Sequence, residues 1–184
     1  LHSHSEARYQ VWRQRRHGSY RARLTTSRTM TTGSDIRRAR FVVSYRGTAF
    51  RGAAESPGVR TVIGELRTAC EQILGQPIEF TLAGRTDAGV HALGQVISCH
   101  LPGAVDPSDL AHRLSRMCAP DIAVRSGDWA PDDFNARFSA SSRSYRYHVW
   151  NAPEGNPLLH DLTWHVAQSL NLDLMNEAAQ VVVG

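Results

Sequence analysis

From about residue 40 the apolar positions switch repeatedly between a two-residue and a helical period. Phe41, Val42, Val43, Ser44 and Tyr45 read as a strand, broken by Arg46-Gly47-Thr48 and a Gly- and Pro-containing loop to Gly58. Thr61 stands where a helix N-cap is needed. Behind it Val62, Ile63, Leu66, Ala69, Cys70, Ile73 and Leu74 recur at helical spacing until Gly75 and Pro77 stop them. Residues 78–83 and 96–101 read as two further strands. Pro107 and Ser108 open a second helix through Met117, with Leu110, Ala111, Leu114 and Met117 on one face. Residues 121–129 predict a strand. Residues 144–150 alternate, with Tyr145, Tyr147 and Val149 on one side and Arg146, His148 and Trp150 on the other, so Tyr147 is expected in the core. Residues 171–183 begin another amphipathic helix, with Leu172, Met175, Ala179 and Val182 near one face. The order β-α-β-β-α-β predicts an α+β fold, an antiparallel sheet with helices on one face and the other face free as a platform.

Composition narrows the class. Of 184 residues, 41% are hydrophobic and 21% charged, which excludes a disordered, collagen-like or coiled-coil chain. No apolar run approaches the ~20 residues of a membrane-spanning helix. Cys70, Cys99 and Cys118 are an odd set without C-x-x-C spacing. They argue against a disulfide framework or zinc ribbon and fit a reduced, cytoplasmic protein.

Charge divides the chain. All 21 basic residues are Arg, and ten lie in the first forty residues against only Glu6 and Asp35. That segment carries +8 and the remainder −4, so the net +4 comes from the N-terminus. Residues 1–39 lack an apolar period and read as a disordered basic extension, with Met30 a candidate start and residues 1–29 upstream sequence. Residues 40–184 form the globular part. A nucleic-acid function must therefore come from local arrangement, not from the global charge.

The densest chemistry lies in Gly84-Arg85-Thr86-Asp87-Ala88-Gly89, between two predicted strands. Gly84 and Gly89 permit unusual backbone angles and close approach of another chain. Arg85, two positions before Asp87, can hold that carboxylate ionised, and an ionised, positioned carboxylate serves as nucleophile or base. By spacing alone Asp-x-Gly is also an ordinary turn. The missing Lys excludes a phosphate-binding P-loop, and the G-x-G-x-x-G fingerprint is absent.

Ala83-Gly84-Arg85-Thr86-Asp87-Ala88-Gly89-Val90-His91-Ala92, followed by Gly94-Gln95-Val96, resembles the signature of the TruA family of tRNA pseudouridine synthases. A second block agrees: Phe134-Asn135-Ala136-Arg137-Phe138-Ser139-Ala140, then Arg143-Ser144-Tyr145-Arg146-Tyr147, is similar to the family's Ala-Arg-Phe-Ser-Ala segment and Arg-x-Tyr-x-Tyr strand. Tyr45-Arg46-Gly47-Thr48 with Phe50 and Gly52 matches the opening strand and loop, and Pro120-Asp121-Ile122-Ala123-Val124 a further segment.

The resemblance covers residues 40–184, the N-terminal half of such a synthase, and implies a pseudouridine synthase fold whose half is of the ferredoxin-like type. It implies isomerisation of uridine to pseudouridine at positions 38–40 of the tRNA anticodon stem-loop, without cofactor or metal. Asp87 falls on the family's essential aspartate and Tyr145 on its active-site tyrosine. Arg85 falls on the arginine that pairs with the aspartate and helps hold the flipped nucleotide's place. Arg137 and Arg143 match basic positions suited to phosphate contact. His91 falls on a loop histidine, expected to orient the loop rather than react. The resemblance further implies tRNA as partner, a C-terminal domain absent or truncated here, and a homodimer in the full-length form. The alternative is a truncated, catalytically inactive RNA-binding relative.

Departures from the family pattern are local. Ala53-Ala54 follows Gly52 where the family has Gly-Trp-Gln; a Gln near Ile63 and an Asn near Met117 are missing; and Asn135 replaces a frequent His. In the resemblance these positions lie near the RNA path, where they bear on affinity and target choice. Asp87, Arg85 and Tyr145 are untouched.

Overall fold

The computed structural model describes residues 35–183. The predicted extension, apart from its last residues, lies outside the described part. The first strand already begins at Ile36, so residues 36–39 belong to the sheet.

Four strands form the main sheet: β1 (Ile36–Tyr45), β2 (Thr81–Leu82), β3 (Ala92–Pro102) and β4 (Ile122–Trp129), in the order β2-β3-β1-β4. Every neighbouring pair is antiparallel. With α1 (Val62–Leu74) and α2 (Pro107–Met117) in the connections, this is the β-α-β-β-α-β arrangement expected from the sequence.

Each element follows from its residues. Ala39, Phe41, Val43 and Tyr45 alternate inward on β1, joined by Ile97, Cys99 and Leu101 from β3 and Ile122 and Val124 from β4. Val62, Ile63, Leu66, Ala69 and Cys70 from α1, and Leu110, Ala111 and Leu114 from α2, close the core. Each fully buried leucine contributes about 1.5–3 kcal/mol through removal of its side chain from water. Thr61 caps α1 as expected: its Oγ1 accepts the Gly64 N–H at 3.2 Å. Gly75 ends the helix in the left-handed conformation at φ 71°. Asp106 caps α2 by accepting the Ser108 N–H at 2.9 Å, with Pro107 in the first turn.

Three expectations are corrected. The strand at 78–83 contracts to β2, because only Thr81 and Leu82 find ladder partners, Ser98 and Ile97. The strand expected at 144–150 survives only as β5 (Val149–Asn151), paired in parallel with β6 (Trp164–Val166), a strand the periodicity did not announce. Residues 144–147 alternate in sequence but have no ladder partner among the described residues, and His148 makes a single tie, its carbonyl accepting the Trp164 N–H at 2.8 Å. Tyr147, expected in the core, is 91% exposed. The last helix is α3 (Leu172–Ala179), followed by a short 3₁₀ turn, Gln180–Val182. Among the described residues no helix is long and apolar enough to cross a membrane.

Candidate active site

The Gly84–His91 loop leaves the end of β2, turns, and enters β3 beside the C-terminal end of β1, where Tyr45 pairs with Ala92. There β1 shifts register against both its neighbours. Tyr45 packs its ring in the core yet brings its hydroxyl out to Thr86 Oγ1, at 2.8 Å. The Thr86 carbonyl accepts the Ala53 N–H at 3.0 Å, so Thr86 is tied by both side chain and backbone. Gln95, on β3, donates from Nε2 to the Gly84 carbonyl at 2.6 Å and accepts the Gly84 N–H on Oε1 at 3.4 Å. This amide pairs with a backbone as another strand would, and extends the sheet's order into the loop.

Asp87 follows directly on this anchored pair and is exposed. Among the described residues no side chain or backbone group donates a hydrogen bond to its carboxylate. Arg85 is also exposed, and the two form no ion pair within 4.0 Å. The pairing implied by the resemblance is therefore not formed here: the fixed residue is Thr86, between them, and both neighbours project into solvent. Gly89 takes the left-handed conformation at φ 82°, as a tight turn requires, whereas Gly84 does not. Gly84 matters by its lack of a side chain. A Cβ there would lie 3.2 Å from Arg143 Nε and 3.8 Å from Tyr145 Oη.

Arg143 and Tyr145 thus both lie over Gly84, three residues from Asp87. Arg143 donates from Nε and Nη2 to the Ala83 carbonyl, at 3.0 and 2.6 Å, and from Nη2 to the Arg137 carbonyl at 3.1 Å. It clamps the end of β2 to the 134–140 turn. Tyr145 is 65% exposed, its ring free to meet a ligand. Arg137 is exposed, with its guanidinium 5.6 Å from the Phe138 ring centre. Asn135 shapes its turn by accepting the Arg137 N–H on Oδ1 at 3.0 Å. Below, the buried Ser98 hydroxyl accepts the Ala136 N–H at 3.1 Å, docking the turn on the open sheet face. Asp87, Arg85, Arg137, Arg143 and Tyr145 therefore border one corner of the sheet, and His91 stands at the end of the same loop. Tyr45, Thr86 and Gln95, which build the anchor, were not assigned roles from the sequence; only their places inside the matching segments pointed to them.

An α+β sheet thus presents an anchored loop with an exposed carboxylate, Asp87, and places Arg85, Arg137, Arg143 and the exposed Tyr145 at the same corner. A family model described as tRNA pseudouridine synthase matches residues 41–152, and the chain belongs to that family. Over 151 residues it is 45% identical to the tRNA pseudouridine synthase A of Hyphomonas neptunium, covering 80% of this chain and 60% of the relative. It is 43% identical over 150 residues to the protein of that name from Cutibacterium acnes, covering 80% and 54%. The corresponding Geobacillus kaustophilus protein is 39% identical over 149 residues, covering 80% and 57%. The chain thus spans about half to three-fifths of the length of the curated relatives it matches.

Proposed function

We propose that this chain carries the catalytic aspartate of a tRNA pseudouridine synthase acting on uridines at positions 38–40 of the anticodon stem-loop. The observation that carries the reading is the Asp87 loop: a carboxylate without a hydrogen-bond partner among the described residues, on a backbone fixed by Tyr45, Ala53 and Gln95, inside the segment that matches the family. The reaction is an isomerisation. The N1–C1′ bond breaks, the uracil turns, a C5–C1′ bond forms, the proton on C5 leaves and N1 gains one. Nothing is oxidised or reduced, and no cofactor or metal is called for.

A buried uridine must leave the helical stack to reach such a loop. Asp87 then serves as nucleophile or base at the sugar or the uracil. Tyr145 stacks on the flipped base and helps move a proton late in the reaction. Arg85 occupies the vacated place, while Arg137 meets phosphates, which makes binding salt-dependent. Arg143 is exposed and within reach of the same backbone, though its hydrogen bonds spend it first on the clamp. Buried free cysteines accord with a reducing cytoplasmic setting. The full-length protein is read as a homodimer.

The test is incubation with unmodified tRNA transcript, mapping of pseudouridine in the anticodon arm, and Asp87→Asn beside the parent. The expected result is product that disappears in the variant, with tRNA affinity held within about threefold. A variant that turns over at the parental rate would remove Asp87 from the chemistry. Binding without product in the parent would support the inactive RNA-binding relative.

A further inference from the structure

The anchors of the Asp87 loop are unevenly distributed. On the N-terminal side, Gly84 and Thr86 are held by contacts of 2.6, 2.8 and 3.0 Å. On the C-terminal side, the Gly89 N–H reaches the Phe50 carbonyl only at 3.4 Å, and the Val90 N–H turns back on Asp87 itself at 3.2 Å. The next fixed point is His91. Its Nδ1 accepts the Gly47 N–H at 3.3 Å, which places the ring proton on Nε2, and Nε2 donates to the Asp161 carbonyl at 2.7 Å.

Asp161 belongs to a strap, residues 156–162, beyond the last residue of the family match. The strap is shaped internally. Asn156 Oδ1 accepts the Leu158 N–H at 3.0 Å, its carbonyl accepts the Leu159 N–H at 3.0 Å, and the Leu159 carbonyl accepts the Leu162 N–H at 2.9 Å. The Asp161 carboxylate pairs with Arg46, next to Gly47. Between strap and sheet an open groove of about 510 Å³ remains, lined by Tyr45, Ala92, Pro120 and Leu158 among others. The His91 ring spans this groove edge as a strut.

We propose that residues 156–162 are a latch that orders the C-terminal side of the Asp87 loop through His91, which makes His91 a positioning residue. A flexible loop would place the carboxylate wrongly in most encounters, and a displacement near an ångström costs about a hundredfold in rate. The consequence for rate rests on the proposed function above; the latch itself does not. Arg46 and the Asp161 carboxylate add a second, solvent-exposed tie of smaller weight.

The experiment uses two readouts: amide hydrogen exchange at Gly47 and across residues 84–91, and single-turnover pseudouridine formation with tRNA affinity measured alongside. His91→Ala is expected to speed Gly47 exchange on the order of tenfold or more, since its acceptor is gone. It is expected to slow turnover about 10- to 100-fold with affinity changed less than about threefold. His91→Asn keeps an acceptor near the Nδ1 position but not the reach to Asp161. It should restore protection at Gly47 while residues 84–91 stay loosened. Asn156→Ala, which touches only the strap, should loosen residues 84–91 by about 3- to 10-fold in exchange. Unchanged exchange over residues 84–91 in both His91→Ala and Asn156→Ala would overturn the latch. Loosened exchange with an undiminished rate would overturn its role in positioning Asp87. A parent that makes no pseudouridine would count against the proposed function while exchange still decides the latch.

Discussion

Gly47→Ala isolates the mechanical coupling between the loop after β1 and Asp87. Gly47 is buried against the backbone of the loop's far side. A Cβ added to it would lie 2.0 Å from the Val90 carbonyl oxygen, 2.4 Å from the Val90 carbonyl carbon and 2.8 Å from the Gly89 carbonyl carbon. All three are main-chain atoms, so no side chain can rotate away. Gly47 is not in the left-handed region, so alanine suits its own backbone and the whole effect falls on the neighbour. To reach ordinary contact the Val90 carbonyl must retreat by more than an ångström, carrying the turn that holds Asp87. Overpacking of this kind costs about 1–3 kcal/mol. For a chain of this size that is a fall in Tm of roughly 2–12 °C. The displacement should lower single-turnover pseudouridine formation about a hundredfold. Gly155→Ala is the control, because its Cβ would meet nothing closer than His165 Nδ1 at 3.7 Å. Thermal melts and single-turnover assays on both variants decide the matter. A Gly47→Ala protein with parental melting and parental rate would refute the packing. Lost stability with a parental rate would show that the backbone at 89–90 does not set the position of Asp87.

Three further outcomes are expected. Tyr145→Phe keeps the ring and removes the hydroxyl over Gly84, so single-turnover rate should fall about a hundredfold while tRNA affinity stays within about threefold; an unchanged rate leaves Tyr145 only a stacking surface. Arg143→Lys cannot reproduce the fork that grips the Ala83 and Arg137 carbonyls. It should cost about 1 kcal/mol of local order, read as faster exchange of residues 134–140, and exchange at the parental rate would count against the clamp. Burial pushes the thiols of Cys70 and Cys118 up to about 11, and that of Cys99 further up. At about pH 8 a disulfide exchange reagent should therefore find none of the three in the folded protein and all of them after unfolding; rapid reaction of one would show a core that opens there.

How much of this was legible follows from the range of each interaction. The faces of β1, α1 and α2 could be read because Phe41, Leu66 and Leu110 repeat within one element, where period alone fixes the side buried. Thr61 and Gly75 marked the ends of α1 because caps are local. The 144–150 stretch misled because alternation specifies two faces without specifying a neighbour, and a strand needs one. β6 went unseen because three residues, Trp164–Val166, carry too little pattern. At the site, Asp87 stood out through its glycines and its resemblance. Its supports did not: Tyr45 meets Thr86 across 41 positions, Gln95 meets Gly84 across 11, and His91 meets Asp161 across 70. Such ties exist only once the sheet has formed.

The departures from the family pattern change meaning in the same light. Ala53, expected near the RNA path, is fully buried in the core. Its N–H holds the Thr86 carbonyl at 3.0 Å, and its own carbonyl accepts the Ile63 N–H at the start of α1, also at 3.0 Å. Both bonds are made by main chain, so they survive any side chain that fits the space, and this space is an alanine's. The replacement therefore bears on packing behind the loop. Asn135 is a departure of the opposite kind, since its side chain does the work of shaping the turn beneath Arg137, accepting the Arg137 N–H at 3.0 Å and the Phe138 N–H at 3.4 Å. At position 53 the backbone makes the ties; at position 135 the side-chain amide folds its own turn. The backbone that carries Asp87 is held at Gly84 and Thr86 by bonds that depend on neither the Ala53 nor the Asn135 side chain.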